Sequence, residues 1–463
     1  MSSKTNTRRL LPAVMLSVGM AAPGMAMAQS DREQALEARM AQMEEHIQQL
    51  VSQQRELRSE LEQARSDAAQ AQQQQAAAPA VAAAPAGKPA IQNVSIVPAA
   101  GPGTTFKFGG YIKADFIATR AADGQFADSA SGRYLYMPGQ TPVGGRSSST
   151  DFDAHAKFSR FNLGVDSVTE NGDKLGGFFE MDFFGSSASN YQTATNSYGL
   201  RLRHAYMYWN NWLAGQTWSN FVDTSVLPES ADFIGVTDGV LMVRQAQIRY
   251  TNGPFSVALE NPETTYLAHD TATRVNSDRG WMPDLTARYS WKGSWGQFST
   301  SALVRQLRVD NGVTKDNDWG GGLAVTGKWN LGENDDLRYQ LSAGRGIARY
   351  IGLGIQSDAM MDANGELDAI DSLAGYVGWQ HRFNSKLRTN LIYARSDYDI
   401  DDVRLNPFRS DITRNVQSVR ANLMYSPMPR INLGAELMYG RREVEDGQKG
   451  DITRLQFSTK YVF

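Results

Sequence analysis

TTFKFGGYIKADFIAT, residues 104–119, places Phe106, Phe108, Ile112, Ala114, Phe116 and Ala118 on one face of an extended chain and Lys107, Tyr111, Lys113 and Asp115 on the other. That is a period of two, the side-chain alternation of a strand, and not the 3.6 of a helix. Similar segments recur at 152–167, 173–186, 198–210, 211–218, 242–251, 254–262, 283–291, 295–309, 317–330, 336–347, 371–384, 386–397, 414–427, 430–443 and 450–463, which makes sixteen with the first. The connections alternate in length. Short turns fall at 169–173, 210–211, 252–253, 292–294, 331–335, 384–385 and 427–430, and longer loops at 120–151, 187–197, 219–241, 263–282, 310–316, 348–370, 398–413 and 444–449. An even number of antiparallel strands joined alternately by short turns and long loops is the pattern of an outer-membrane barrel. The last strand carries Leu455, Phe457, Thr459, Tyr461 and Phe463 on one face and Arg454, Gln456, Ser458 and Lys460 on the other. Its terminal aromatic, Phe463, resembles the assembly signal read by the outer-membrane barrel assembly machinery. A soluble sandwich would have to bury the Arg- and Glu-bearing face dry, at a high desolvation cost.

Composition agrees with this fold and excludes others. The 463 residues hold 46 Lys and Arg against 49 Asp and Glu, a net charge of −3, and so lack the basic excess of a nucleic-acid binder. With no Cys there are no thiol nucleophiles, thiolate metal sites or disulfides. A mean hydropathy of −0.43 looks soluble, but barrel strands average out as hydrophilic because lipid-facing and lumen-facing residues alternate.

Ahead of the barrel, residues 1–28 combine Lys4, Arg8 and Arg9 with an apolar stretch and the small-residue end Ala26-Met27-Ala28, as in a signal peptide cleaved before Gln29. Residues 29–75 read as a coiled-coil stalk. Its seam is Leu36, Met40, Met43, Ile47, Leu50, Gln54, Leu57 and Leu61, with Gln54 as a polar register-setting position. The rod would be roughly 65 Å long. Residues 76–103 are an Ala/Pro-rich linker, and 104–463 form the barrel. The fold class expected is therefore an all-β transmembrane barrel of sixteen antiparallel strands behind an N-terminal α-helical coiled coil that lies in the periplasm and oligomerises the chain.

The strings FGGYIKADF (108–116), SRFNLGVDS (159–167), GGFFEMDFF (176–184), RLRHAYMYW (201–209), LAGQTWSNF (213–221), VRQAQIRYTNGPF (243–255), ALENPE (258–263) and MPDLTARYSW (282–291) follow in order behind the stalk. Together they resemble the DcaP-like family of trimeric outer-membrane porins of Gram-negative bacteria. The resemblance implies a homotrimeric sixteen-stranded porin with a periplasmic coiled coil, no cofactor and no enzymatic activity, and a preference for small anionic solutes such as dicarboxylates. It also implies that the third long loop, 219–241, folds inward as the constriction, carrying Asp223, Glu229, Asp232 and Asp238.

Sixteen strands leave an aqueous channel. Alternation points Lys113, Arg160, Arg203 and Arg249 inward in the first half, with Asp115, Asp166, Glu180, Asp182 and Glu260 among them. In the second half it points Arg288, Arg305, Lys328, Arg338, Arg382, Arg388, Arg420, Arg454 and Lys460 inward, opposed by Asp284 and Glu436. The expectation is a basic wall faced across the lumen by an acidic loop, with Arg160, Arg203, Arg249 and Arg288 as a ladder for carboxylates, which a guanidinium bonds bidentately. Other readings remain. A sugar-selective or general porin would use the inward aromatics Tyr111, Phe178, Trp218 and Tyr376. A structural tether would hold peptidoglycan through the stalk. A barrel lipase would need a Ser–His pair, and no GxSxG string supports one. Residues 362–368 miss the calcium-loop spacing, and Asp397, Asp399, Asp401 and Asp402 suit a plain acidic loop better than a cation bridge to lipopolysaccharide. The five His residues lack zinc spacing.

Overall fold

The computed structural model describes residues 104–185, 196–400 and 406–463. The signal segment, the seam from Leu36 to Leu61, the linker, and Asp401 and Asp402 lie outside the described residues.

The alternating segments form one closed antiparallel barrel. Its first eight strands are β1 (Thr104–Ala121), β2 (Ser149–His155 continuing as Arg160–Val168), β3 (Lys174–Gly185), β4 (Gly199–Trp209), β5 (Trp212–Trp218), β6 (Arg244–Asn252), β7 (Phe255–Glu260) and β8 (Asp284–Gly293). The others are β9 (Gly296–Asp310), β10 (Lys315–Leu331), β11 (Asp335–Arg345), β12 (Asp371–Arg382), β13 (Leu387–Asp399), β14 (Thr413–Met428), β15 (Ile431–Val444) and β16 (Lys449–Val462). Both halves of β2 pair with β1, so they count as one strand interrupted at 156–159. Each strand pairs with its sequence neighbour, and β16 closes on β1 from Ile452↔Ala121 to Val462↔Tyr111. Phe463 extends that seam. It exchanges backbone hydrogen bonds with Gly110 at 3.1 and 3.3 Å and packs its ring against Phe108. Two connections read as long are tight hairpins, at 311–314 and 445–448.

The outward face is apolar as the alternation requires, with Phe108 67% and Phe152 68% exposed to what is hydrocarbon in a bilayer. Trp209, Trp212, Trp291, Trp295, Trp329 and Trp379 are exposed at the short-turn ends of their strands, the place of an interfacial aromatic girdle. No helix among the described residues is long and apolar enough to cross a membrane.

The interior is the departure from a simple lumen. Leu303, Ala324, Ala374, Tyr398 and Val416 point inward and enclose a core with Phe221, Val222 and Leu241 of loop 219–243 and Ile347, Tyr350, Ile351 and Ile370 of loop 346–370. A second cluster joins Val226, Val236, Val240 and Met242 of the first loop to Tyr376, Ile392 and Ala394. Small inward residues, Ser342, Ala374, Ala394, Ser396 and Ser418, leave the volume these loops fill. A four-stranded sheet of Thr264–Leu267, Arg274–Ser277, Ala359–Met361 and Leu367–Ala369 covers the long-loop end and packs on Leu307 and Val309. Burial of apolar loop residues against β9–β14 thus closes that side of the barrel and displaces the channel toward β1–β7.

The outer hairpin carries a pH-sensitive group. Burial raises the Glu445 carboxyl to about 7, with Arg414 opposing the rise and Asp399 and Glu443 adding to it. Its folded value exceeds its unfolded one, so the native state binds the extra proton and the hairpin loses stability as pH rises through the window up to about 7. Amide exchange at Glu445, whose N–H donates to Ile412 O at 3.0 Å, should therefore show less protection at pH 8 than at pH 5.5 after correction for intrinsic rates. Glu445→Gln should remove the difference; a difference that persists assigns it to another group.

Candidate functional site

Four arginines come together on the open side of the lumen. Arg160 (β2) and Glu180 and Asp182 (β3) are neighbours through the β2–β3 ladder, which pairs Arg160 with Asp182 and Asn162 with Glu180. Arg201 and Arg203 reach the same carboxylates from β4. Arg203 donates through Nε to Glu180 Oε1 at 2.7 Å and through Nη1 to Asp182 Oδ2 at 2.8 Å. Arg201 forks onto Asp182 at 2.9 and 2.6 Å, and Arg160 Nη1 lies 3.2 Å from Glu180 Oε1. A register shift in the β3–β4 ladder, between the Glu180↔His204 and Met181↔Leu202 pairs, leaves Arg203 as an extra residue. This β-bulge buries the adjacent Arg203 and His204 together, which strict alternation cannot do. Arg244, at the start of β6, lies with its guanidinium 5.0 Å from the Trp218 ring. Three guanidiniums therefore share two wall carboxylates, Arg244 adds a fourth positive charge beside them, and the wall is net positive.

Facing them is loop 219–243. It runs around the inner wall as a belt, and its hydrogen bonds visit the strands nearly in order. Ser301 Oγ (β9) donates to Phe221 O at 3.2 Å, and Thr326 Oγ1 (β10) to Asp223 Oδ2 at 3.0 Å. Arg338 Nη1 (β11) donates to Leu227 O at 2.6 Å, and the Tyr376 hydroxyl (β12) to Val226 O at 3.3 Å. Arg388 (β13) forks onto Glu229 at 2.5 Å through both nitrogens. Glu436 (β15) accepts from Ser230 Oγ at 2.7 and 2.8 Å and from Ala231 N at 3.1 Å. Gln456 (β16) and Lys113 (β1) donate to Ala231 O at 3.1 and 3.0 Å. On the way back Gly239 abuts β12, where a Cβ would stand 2.0 Å from Gly375 O.

Between belt and arginine wall lies a cavity of about 540 Å³, lined by Arg160, Arg201, Arg203, Arg244, Trp218, Phe184, Leu227, Pro228, Phe233 and Ile234 among others. The belt presents Leu227, Pro228, Phe233 and Ile234 to it, with Glu229 and Asp232 also on the lining. Phe233 stacks on Phe158, inside the β2 interruption, with centroids 4.1 Å apart and planes at 9°. The guanidiniums of Arg203 and Arg160 lie 5.3 and 5.6 Å from the same Phe233 ring.

This geometry corrects the expected transverse field. Glu229 and Asp232 border the cavity that the arginines line, but the acidic loop residues are bonded to the barrel wall and neighbouring loops instead of standing free across it. Glu229 pairs with Arg388, and Asp232 accepts from Tyr136 N at 2.9 Å and lies 3.7 Å from Arg454. Asp223 is bound to Thr326, and Asp238 is fully buried with Arg420 as a charged neighbour. Direct contact at low dielectric favours such pairs over attraction across a wet gap. The basic wall is also more balanced than alternation suggested. Asp336 is within 3.5, 2.8 and 3.2 Å of Lys328, Arg338 and Arg382. Arg305 is 1% exposed between Asp284 and Asp358, so it does not line the lumen. Lys113 is buried on Asp115, under the belt.

Of the expected ladder, Arg160 and Arg203 meet at Glu180, whereas Arg249 and Arg288 lie farther toward the short-turn ends. Arg249 donates to Gln247 Oε1 at 2.9 Å and to Trp218 O at 2.5 Å, and Arg288 to Val222 O at 2.8 Å. Sequence reasoning missed Arg201, which shares the parity of Arg203 within one string. It also missed Arg244, whose parity opposes that of Arg249 but whose side chain folds over Trp218 at the strand end.

A family model for the DcaP outer membrane protein matches residues 92–463. The crystal structure of the outer membrane channel DcaP of Acinetobacter baumannii superposes with a TM-score of 0.65 at 27% identity, over 78% of this chain and 98% of that one. An anion-selective porin from Comamonas acidovorans gives a TM-score of 0.47 at 12% identity, over 78% and 100%. OmpF of Salmonella typhi gives 0.48 at 12%, over 78% and 98%. No match is found among curated proteins.

Proposed function

This chain belongs to the DcaP outer membrane protein family, and from that premise we propose that it is a channel favouring small anions, dicarboxylates foremost, with Arg160, Arg201 and Arg203 as the constriction's charged wall. That it is an outer-membrane barrel of the porin type follows from family and fold together. The ion preference rests on one observation: four guanidiniums stand on the cavity wall against Glu180 and Asp182, three of them paired with those carboxylates, while Glu229 and Asp232 at the cavity's edge are each held by an arginine of the far wall. An uncompensated positive surface in a narrow, low-dielectric passage lowers the barrier for an anion and raises it for a cation. Opposite the arginines the belt places Leu227, Pro228, Phe233 and Ile234, and its carboxylates Glu229 and Asp232 are already held by Arg388 and Arg454, so the positive potential dominates.

The protein functions as a pore without enzymatic chemistry and assembles as a homotrimer, the stalk adding to wall contacts; lipid, lipopolysaccharide and the assembly machinery are its cellular partners. In proteoliposomes of the full mature chain, succinate should enter severalfold faster than a neutral sugar of similar size. Equal rates would favour a general porin, and faster sugar entry would favour the aromatic lining of Trp218 and Phe233 as a sugar track.

A further inference from the structure

We infer that Arg244, held on the face of Trp218, is the specificity-determining anchor of the channel: it binds one carboxylate of the solute directly, while the paired arginines supply only the background potential. The inference rests on the anion-channel reading and names the group that gives it selectivity among anions. Arg160, Arg201 and Arg203 each already hold a carboxylate of β3. Arg244 holds none among the described residues, and its Nη1 is buried without a hydrogen-bond partner. Its charged neighbours are Arg203, Arg201, Asp182 and Arg160, so the surroundings are predominantly like-charged. A guanidinium in that setting is left with unmet donors and an unfavourable field, and an incoming oxyanion relieves both at once. A paired arginine would first have to give up its carboxylate.

Two features shape what Arg244 accepts. The Trp218 ring lies 5.0 Å from the guanidinium, and stacking of this kind fixes the plane of the fork, the arrangement a bidentate carboxylate requires. Arg244 also lines the 540 Å³ cavity together with Arg201 and Arg203. A second carboxylate on the same solute would then meet the net positive β4 wall, so a dicarboxylate gains over a monocarboxylate by having both ends satisfied. Trp218 is in this account a positioning residue, acting through the guanidinium.

The test is single-channel recording of succinate-induced current blocking on the full mature protein in planar bilayers, with Arg244→Gln, Arg244→Lys and Trp218→Leu. Folding of each variant is checked by heat-modifiable migration in detergent gels. Arg244→Gln should lower the succinate association constant by about tenfold, the scale of a charge-assisted hydrogen bond pair. Arg244→Lys keeps the charge but loses the planar fork, so it should keep the wild-type zero-current potential in a salt gradient and still lose about threefold or more in association. Trp218→Leu should lose succinate association by a similar factor without changing the zero-current potential. Wild-type block that survives Arg244→Gln, or an Arg244→Lys channel that binds succinate as wild type does, overturns the assignment alone. Wild-type channels that succinate does not block overturn the dicarboxylate reading and this assignment with it.

Discussion

Gly239→Val should narrow the constriction and lower single-channel conductance about twofold or more. A Cβ at this position would stand 2.0 Å from Gly375 O and 2.7 Å from its carbonyl carbon. Both are backbone atoms of β12, so no rotamer change relieves the overlap, and a branched side chain adds to it. Overpacking of this kind costs roughly 1–3 kcal/mol. The barrel has sixteen strands of backbone ladder to resist it, whereas the belt at this point is held by Gln340 Nε2 donating to Gly239 O at 3.0 Å and by the apolar contacts of Val236, Val240 and Met242. The belt is therefore the part that moves. Recordings of the variant beside wild type measure the effect, with liposome entry of progressively larger sugars as a second readout of pore size. Unchanged conductance and sieving would show that the belt is not clamped against β12.

The second large effect is electrostatic. Replacing Arg160, Arg201 and Arg203 together by Gln leaves Arg244 against Glu180 and Asp182, which turns the wall from an excess of two positive charges to an excess of one negative. The zero-current potential in a potassium chloride gradient should pass through zero and take the sign of a cation-preferring pore. Because Arg203, Glu180 and Asp182 are buried, losing their pairing costs stability, so folding of the variant is checked first by heat-modifiable migration in detergent gels. The change should be largest at low salt and shrink as the Debye length falls from about 10 Å at 0.1 M to about 3 Å at 1 M. An anion preference retained by the triple variant would assign selectivity to Arg249 and Arg288 nearer the short-turn end.

What the alternation makes legible is the wall. TTFKFGGYIKADFIAT reads as a strand because Phe106, Phe108, Ile112 and Phe116 must meet lipid while Lys113 and Asp115 must not, and the structure keeps every one of those faces. The contents of the barrel are less legible, because alternation assigns a residue to the inward side without saying whether it meets water or a loop. Arg305 and Arg338 share an inward face, yet the first is sealed beneath loop 346–370 while the second bonds the belt. The signal that could have separated them was present in their neighbours. Leu303, Leu307 and Val309 place apolar groups inward on β9 where a wet lumen would not tolerate them, and Ser372, Ala374 and Gly378 empty the facing surface of β12. Local irregularity hid the rest. A bulge at Arg203 and the folding of Arg244 onto Trp218 both break the period on which the inward count depended.

The zero-current potential of the wild-type channel in an asymmetric potassium chloride gradient at low salt tests the central claim most directly. An excess of guanidinium over carboxylate on the constriction wall predicts a potential of the sign set by chloride permeating faster than potassium; a potential of the opposite sign would contradict it.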